Sequence, residues 1–305
     1  MQQKRVSGSD LETASAARIW PPLARFITWE TAVGARAEAH GRLAHFAYEF
    51  VRFGVKQAWA CLFGALMLAL LIATHLLYPK DAPLARYDFL VVAAVTIQVL
   101  MLIFKMETTE EAKVIFVFHV VGTAMEIFKT TVGSWLYPEP SVLRIAGVPL
   151  FTGFMYAAVG SYIARCWRLF DFRFARHPPM WAISALAVAI YINFFTHHYT
   201  WDMRSLLFLA AIALFGPATI YFKVWRQHRH MPLLLGLILV ALFIWFAENI
   251  GTFTAAWVYP SQKSGWHLVS FAKLGSWFLL MIISYVLVAG LYRIGQYSAD
   301  SDAKK

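Results

Sequence analysis

The stretch Glu126-Ile-Phe-Lys-Thr-Thr-Val-Gly-Ser-Trp-Leu-Tyr-Pro138 returns later in the chain as Glu248-Asn-Ile-Gly-Thr-Phe-Thr-Ala-Ala-Trp-Val-Tyr-Pro260. Both follow Glu-x3-Thr-x4-Trp-x-Tyr-Pro, and the offset between them is 122 residues. The same offset carries Thr74-His75 onto Thr196-His197 and Gly153 onto Gly275, while Tyr162 returns as Tyr285 with one residue added. One shared aromatic means little in a chain this aromatic. A run of matches in a single register points to an internal duplication.

Each copy closes an apolar run of transmembrane length. Of the 305 residues, 60% are hydrophobic and 14% charged, against about a quarter charged in a soluble domain. No polar stretch is long enough to fold around a core of its own. A bilayer core of ~30 Å takes ~20 apolar residues as helix. Apolar runs fall near 57–78, 86–105, 113–135, 148–167, 180–199, 204–223, 231–257 and 267–292, separated by Pro-rich turns such as Tyr137-Pro138-Glu139-Pro140 and His177-Pro178-Pro179. They are too long and too continuously apolar for barrel strands. The expected fold is all-α, with eight transmembrane helices as two tandem four-helix repeats. An even number of passes per repeat preserves direction, so the halves should be related by a pseudo-twofold along the membrane normal.

The net charge is +10, and its distribution orients the chain. Twenty Lys/Arg fall before the first run, in the even-numbered connections or after the last run. The odd-numbered connections hold five: Lys80, Arg86, Arg144, Arg204 and Lys263. The positive-inside rule then places both termini in the cytoplasm. Because the basic residues hug membrane ends, the expected partners are anionic lipid headgroups and membrane lipids, not nucleic acid. The chain divides into a basic amphipathic segment (1–56), a first repeat (57–170), a cytoplasmic linker (171–179), a second repeat (180–293) and a cytoplasmic tail (294–305). No signal peptide is expected in the first segment. Its residues 18–56, which mix arginines with Trp20, Trp29, Phe46 and Phe50, read as interfacial helix.

Glu126 and Glu248 are the sharpest candidate catalytic groups. A carboxylate in hydrocarbon costs at least ~2.5 kcal/mol, so it is a functional hypothesis by default. Entering near Lys113, the third span puts Glu126 about 20 Å deep, in the outer leaflet, with Glu248 at a similar height. His119, seven residues before Glu126, shares its helical face, and His75 and His197 sit near outer helix ends. Lys129 and Lys273 either join this catalytic set or neutralise the two glutamates as structural ion pairs. Trp135, Tyr137, Trp257 and Tyr259 read as interfacial anchors and, with Asn193 and Asn249, as candidate substrate contacts. No His-x-x-x-His or His-x-x-His pair lies on a span, and the two cysteines, Cys61 and Cys166, form no ligand pattern, so neither a metal nor another cofactor is expected.

The quoted stretch, with Gly147-Val148-Pro149-Leu150-Phe151 and Phe246-Ala247-Glu248-Asn249-Ile250-Gly251-Thr252, resembles an uncharacterised bacterial integral-membrane family, domain-of-unknown-function family 817, from about Phe53 to Tyr292. That resemblance implies a multi-pass protein of the bacterial cytoplasmic membrane and supplies no activity. The order Glu, Gly, Trp-x-Tyr, Gly-Val-Pro is also similar to small membrane carotenoid cyclases and hydratases. Their glutamates serve as proton donors to a polyene, a role this likeness implies for Glu126 and Glu248. Their second-half Pro-x-Glu-Glu is absent, and Ser270-Phe271-Ala272-Lys273 stands near that place. The expected function is a membrane-embedded acid–base enzyme acting on a lipid or isoprenoid. A proton-coupled transporter and a non-catalytic scaffold remain the alternatives.

Overall fold

The computed structural model describes residues 21–292 and 295–296. The expectations for the first twenty residues and for the tail from 297 onward lie outside them. Ten α-helices carry the described chain: α1 (Pro21–Ala39), α2 (Arg42–Ala60), α3 (Leu62–Leu77), α4 (Arg86–Ile103), α5 (Thr109–Thr131), α6 (Phe151–Phe170), α7 (Met180–Thr196), α8 (Arg204–Phe215), α9 (Leu233–Phe253) and α10 (Ala272–Leu291). Six short strands join them: β1 (Arg144–Ile145), β2 (Val148–Pro149), β3 (Arg173–Ala175), β4 (Thr219–Lys223), β5 (His228–Pro232) and β6 (Gly295–Gln296).

Among the described residues four helices, α4, α5, α9 and α10, are long and apolar enough to cross a membrane, and α2 with α3 makes a fifth if that pair is one span bent by 66°. Local chemistry fixes several ends. A capping box starts α5, where the Thr108 hydroxyl accepts from the Glu111 N–H (3.2 Å) and the Glu111 carboxylate accepts from the Thr108 N–H (2.9 Å). Two of the expected runs are not single continuous helices. The run 57–78 is broken at Cys61, between α2 and α3. The run 204–223 is helical only to Phe215, because Gly216-Pro217 follows and a proline ring cannot continue the helix. At 12 residues, α8 is ~18 Å long. The rest of that run is β4, paired antiparallel with β5 from Thr219↔Pro232 to Lys223↔His228.

The connections gather in two groups. The sheet β5-β4-β3-β6 joins the chain after α6, the α8–α9 connection and the chain after α10. Lys56 ties α2 to this group by donating to the carbonyls of Leu169 (2.9 Å) and Lys223 (2.8 Å). Glu107, between α4 and α5, pairs with Arg165 at 3.1 Å, both side chains fully buried. Burial pushes the Glu107 carboxyl above the ordinary range, against its bond from Gln98 and the charge of Arg165. In the second group, buried Arg86 donates to the Thr254 carbonyl (2.9 Å) and to Glu139 (2.5 Å). Asp88 there accepts from the N–H groups of Val142 (2.8 Å) and Leu143 (2.7 Å). Between the groups, Phe63, Met67, Ala157, Ile183, Phe215 and Ile282 belong to one apolar core.

Candidate functional site

The site begins at the ends of α5 and α9, which finish alike. After α5, Gly133 takes a left-handed φ of 72°, and after α9, Ala255 takes 53°. Ser134 N–H donates back to the Lys129 carbonyl (2.9 Å), and Ala256 N–H to that of Gly251 (3.0 Å). This Schellman-type reversal satisfies the last carbonyls and turns the chain back over the final helical turns. It lays each Trp-x-Tyr beside its own helix. Leu136 and Val258, which follow Trp135 and Trp257, exchange both backbone hydrogen bonds at 2.9 Å.

The glutamates are the sinks of this arrangement, only 4% (Glu126) and 2% (Glu248) exposed. Glu126 accepts from Trp135 Nε1 (2.6 Å), from the Tyr137 hydroxyl and from the Tyr156 hydroxyl (2.7 Å). Glu248 accepts from the Tyr259 hydroxyl and from Trp277 Nε1. Burial first, and the glutamate charge second, push the phenols of Tyr137 and Tyr259 well above their usual range, so both remain donors at neutral pH. The two nests touch. Trp135 meets the Tyr259 ring edge-on at 6.1 Å, and Tyr156 faces Trp277 at 6.5 Å.

Trp135, Tyr137 and Tyr259 are therefore not lipid-facing anchors, a correction with a plain cause: their polar tips reach carboxylates instead of headgroups. Trp257 differs from Trp135. It packs against Gly251, where any Cβ would collide with the indole. Among the described residues neither lysine is at ion-pair distance from its glutamate, although Lys273 lies within reach of the charge of Glu248. Lys129 Nζ donates to His198 Nε2 (2.9 Å) and lies over the Phe194 ring (4.1 Å). Lys273 Nζ lies over the rings of Tyr259 (4.3 Å) and Trp135 (5.5 Å).

Both glutamates line a single cavity of about 1160 Å³, and Lys129, Lys273, Asn193, His197, Tyr137 and Tyr259 line it as well. His75 lies against Phe253 (5.7 Å) and His119 against Phe154 (4.4 Å), neither bonded to a glutamate. His197 Nδ1 meets the Asn193 carbonyl at 2.8 Å. The amides of Asn193 and Asn249 serve backbone: Asn193 accepts from Met203 N–H (2.9 Å), and Asn249 accepts from Val269 N–H (2.9 Å) and donates to the Trp245 carbonyl (2.8 Å). Sequence reasoning missed Tyr156 and Trp277. They stand 30 and 29 residues after their glutamates, a shared aromatic-donor position hidden by a one-residue slip and a change of residue type.

These features define a helical membrane protein with two aromatic-caged carboxylates on one internal cavity. Residues 49–285 match the family described as "Protein of unknown function (DUF817)", and the chain belongs to that family. It is 43% identical over 250 residues to "Uncharacterized protein YoaT" of Bacillus subtilis (strain 168), covering 82% of this chain and 94% of that relative. No solved structure matches.

Proposed function

We propose that the protein is a membrane-embedded acid–base enzyme acting on an apolar lipid or isoprenoid, with Glu126 and Glu248 as its proton-transferring groups. One observation carries this: two buried carboxylates, each hydrogen-bonded by neutral tyrosine and tryptophan donors, share one cavity whose walls are mostly apolar. A carboxyl so placed can give a proton to an apolar substrate at one point and take one back at another. The proposal includes eight passes in the bacterial inner membrane, both termini in the cytoplasm facing anionic headgroups, and two halves related by a twofold. The reciprocal Leu136–Val258 bridge supports that symmetry, since equivalent residues touching each other is what a twofold produces. The gathering of the even-numbered connections and the chain after α10 supports the even count. Alternating access is the second reading. It is favoured by the length of the cavity, lined by Phe172 and Phe222 from one group of connections and by Tyr137 and Tyr259 from the other.

The test is an untargeted mass-spectrometric comparison of apolar lipids from cells making the wild type, Glu126→Gln or Glu248→Gln. Gln suits either nest, because its NH2 can face the tyrosine hydroxyl, which accepts as well as donates. Glu126→Leu is different: it strands three donors and should cost about 3 kcal/mol or more. Folded Gln variants that lose a lipid product and accumulate its precursor uphold the enzyme. Unchanged lipids, with Glu-dependent proton flux in proteoliposomes, would favour transport.

A further inference from the structure

Lys129 is 4% exposed and has no carboxylate partner among the described residues, which is an unusual state for a cation among apolar helices. Lys273 is half-buried, its ammonium resting on two aromatic faces. Both line the cavity that holds the glutamates, and His197, His198 and Arg204 line it beside them. Lys129, Lys273 and Arg204 lie within reach of one another's charge. Arg204 is already neutralised by Asp202, Nη2 to Oδ2 at 2.5 Å, and this contact holds the Asp202 carboxyl down at about 2. The oxygens of Glu126 and Glu248 are taken up by tyrosine and tryptophan donors. Among the described residues neither ammonium has a carboxylate at ion-pair distance, although Lys273 lies within reach of the charge of Glu248 and Glu126.

We propose that this cluster, centred on Lys129 and Lys273, binds the phosphate headgroup of an amphiphile whose chain lies along the cavity. Lysine binds phosphate as a point charge, and a phosphate monoester carries about −1.5 to −2 near neutrality, which matches two unpaired ammoniums. A single carboxylate would leave one of them bare. His198, bonded to Lys129 Nζ, fixes where that ammonium sits. The apolar wall, from Leu68 and Val159 to Leu239 and Phe243, suits a long chain. The inference rests on the apolar-substrate reading above and narrows it to a phosphorylated substrate.

The experiment titrates full-length protein in phosphatidylcholine nanodiscs, read by tryptophan fluorescence, since Trp135 adjoins Lys273. Three probes are used: geranylgeranyl monophosphate, geranylgeraniol and dioleoyl phosphatidate. The expected result is a phosphate probe bound at least about tenfold more tightly than the alcohol. Lys129→Gln and Lys273→Gln should each lose about tenfold for phosphate and leave the alcohol unchanged, which also reports that they fold. Lys129→Arg should retain the discrimination. Whichever phosphate wins identifies the source as prenyl or phospholipid. Equal binding of phosphate and alcohol overturns the headgroup site while leaving an apolar substrate standing. Binding of none of the three overturns both.

Discussion

Ala255 occupies a left-handed conformation that costs an L-residue roughly 1–2 kcal/mol, and its counterpart Gly133 occupies the same conformation at no such cost. Nothing lies within 4 Å of where a Gly133 Cβ would be, so backbone preference alone separates the two. Ala255→Gly should therefore stabilise the protein by about 1 kcal/mol and Gly133→Ala destabilise it by a similar amount. Melting temperatures in one detergent decide it: a neutral Gly133→Ala would mean that the reversal after α5 is not held as described. The same two turns aim the tyrosines at the glutamates, so a conformational detail of one residue sets the hydrogen bonds of another.

The pairing of α5 with α6 depends on Gly122. A Cβ there would come within 2.6 Å of the Tyr156 ring, and Tyr156 is a donor to Glu126. Gly122→Ala should cost about 1–3 kcal/mol by overpacking. It should also push the phenol off the carboxylate. Once the phenol has been displaced, losing its hydroxyl costs little more, so Gly122→Ala with Tyr156→Phe should lose less stability than the two changes summed. Strict additivity in that thermal cycle would show that the helices do not approach through this glycine. Small residues let membrane helices close on one another in this way, and here the closeness is what brings the α6 hydroxyl to the α5 acid.

Across the molecule, two groups of connections stand apart, one built around the sheet and one around Arg86 and the Leu136–Val258 bridge. The proposed eight passes make these the cytoplasmic and outer ends. Alkaline phosphatase fusions after Pro140 should then be active, and fusions after Phe172 or Lys305 inactive, with green fluorescent protein fusions giving the reverse. Phosphatase activity after Lys305 would remove the eight-pass topology. It would leave the glutamate nests untouched, since these are internal contacts that do not depend on which side faces out.

Composition and spacing alone establish a helical membrane protein, because nothing else accommodates apolar runs of this length with so few charges. They also single out Glu126 and Glu248, because a buried acid repeated at the same place in two similar stretches stands out in any apolar chain. The tertiary structure alone decided what those acids meet. Tyr156 and Trp277 arrive from the following helices, and a hydrogen bond selects the position of an O–H or N–H, not a residue type that a repeat must preserve. The lysines, Lys129 one turn from Glu126 and Lys273 on the span after Glu248, turn to aromatic faces and His198, which sequence distance does not reveal. Likewise, Ile220, Tyr221 and Phe222 read as the end of a helix, because a short apolar run has no period to distinguish strand from buried helix. Only the partner strand, His228–Pro232, made them β4.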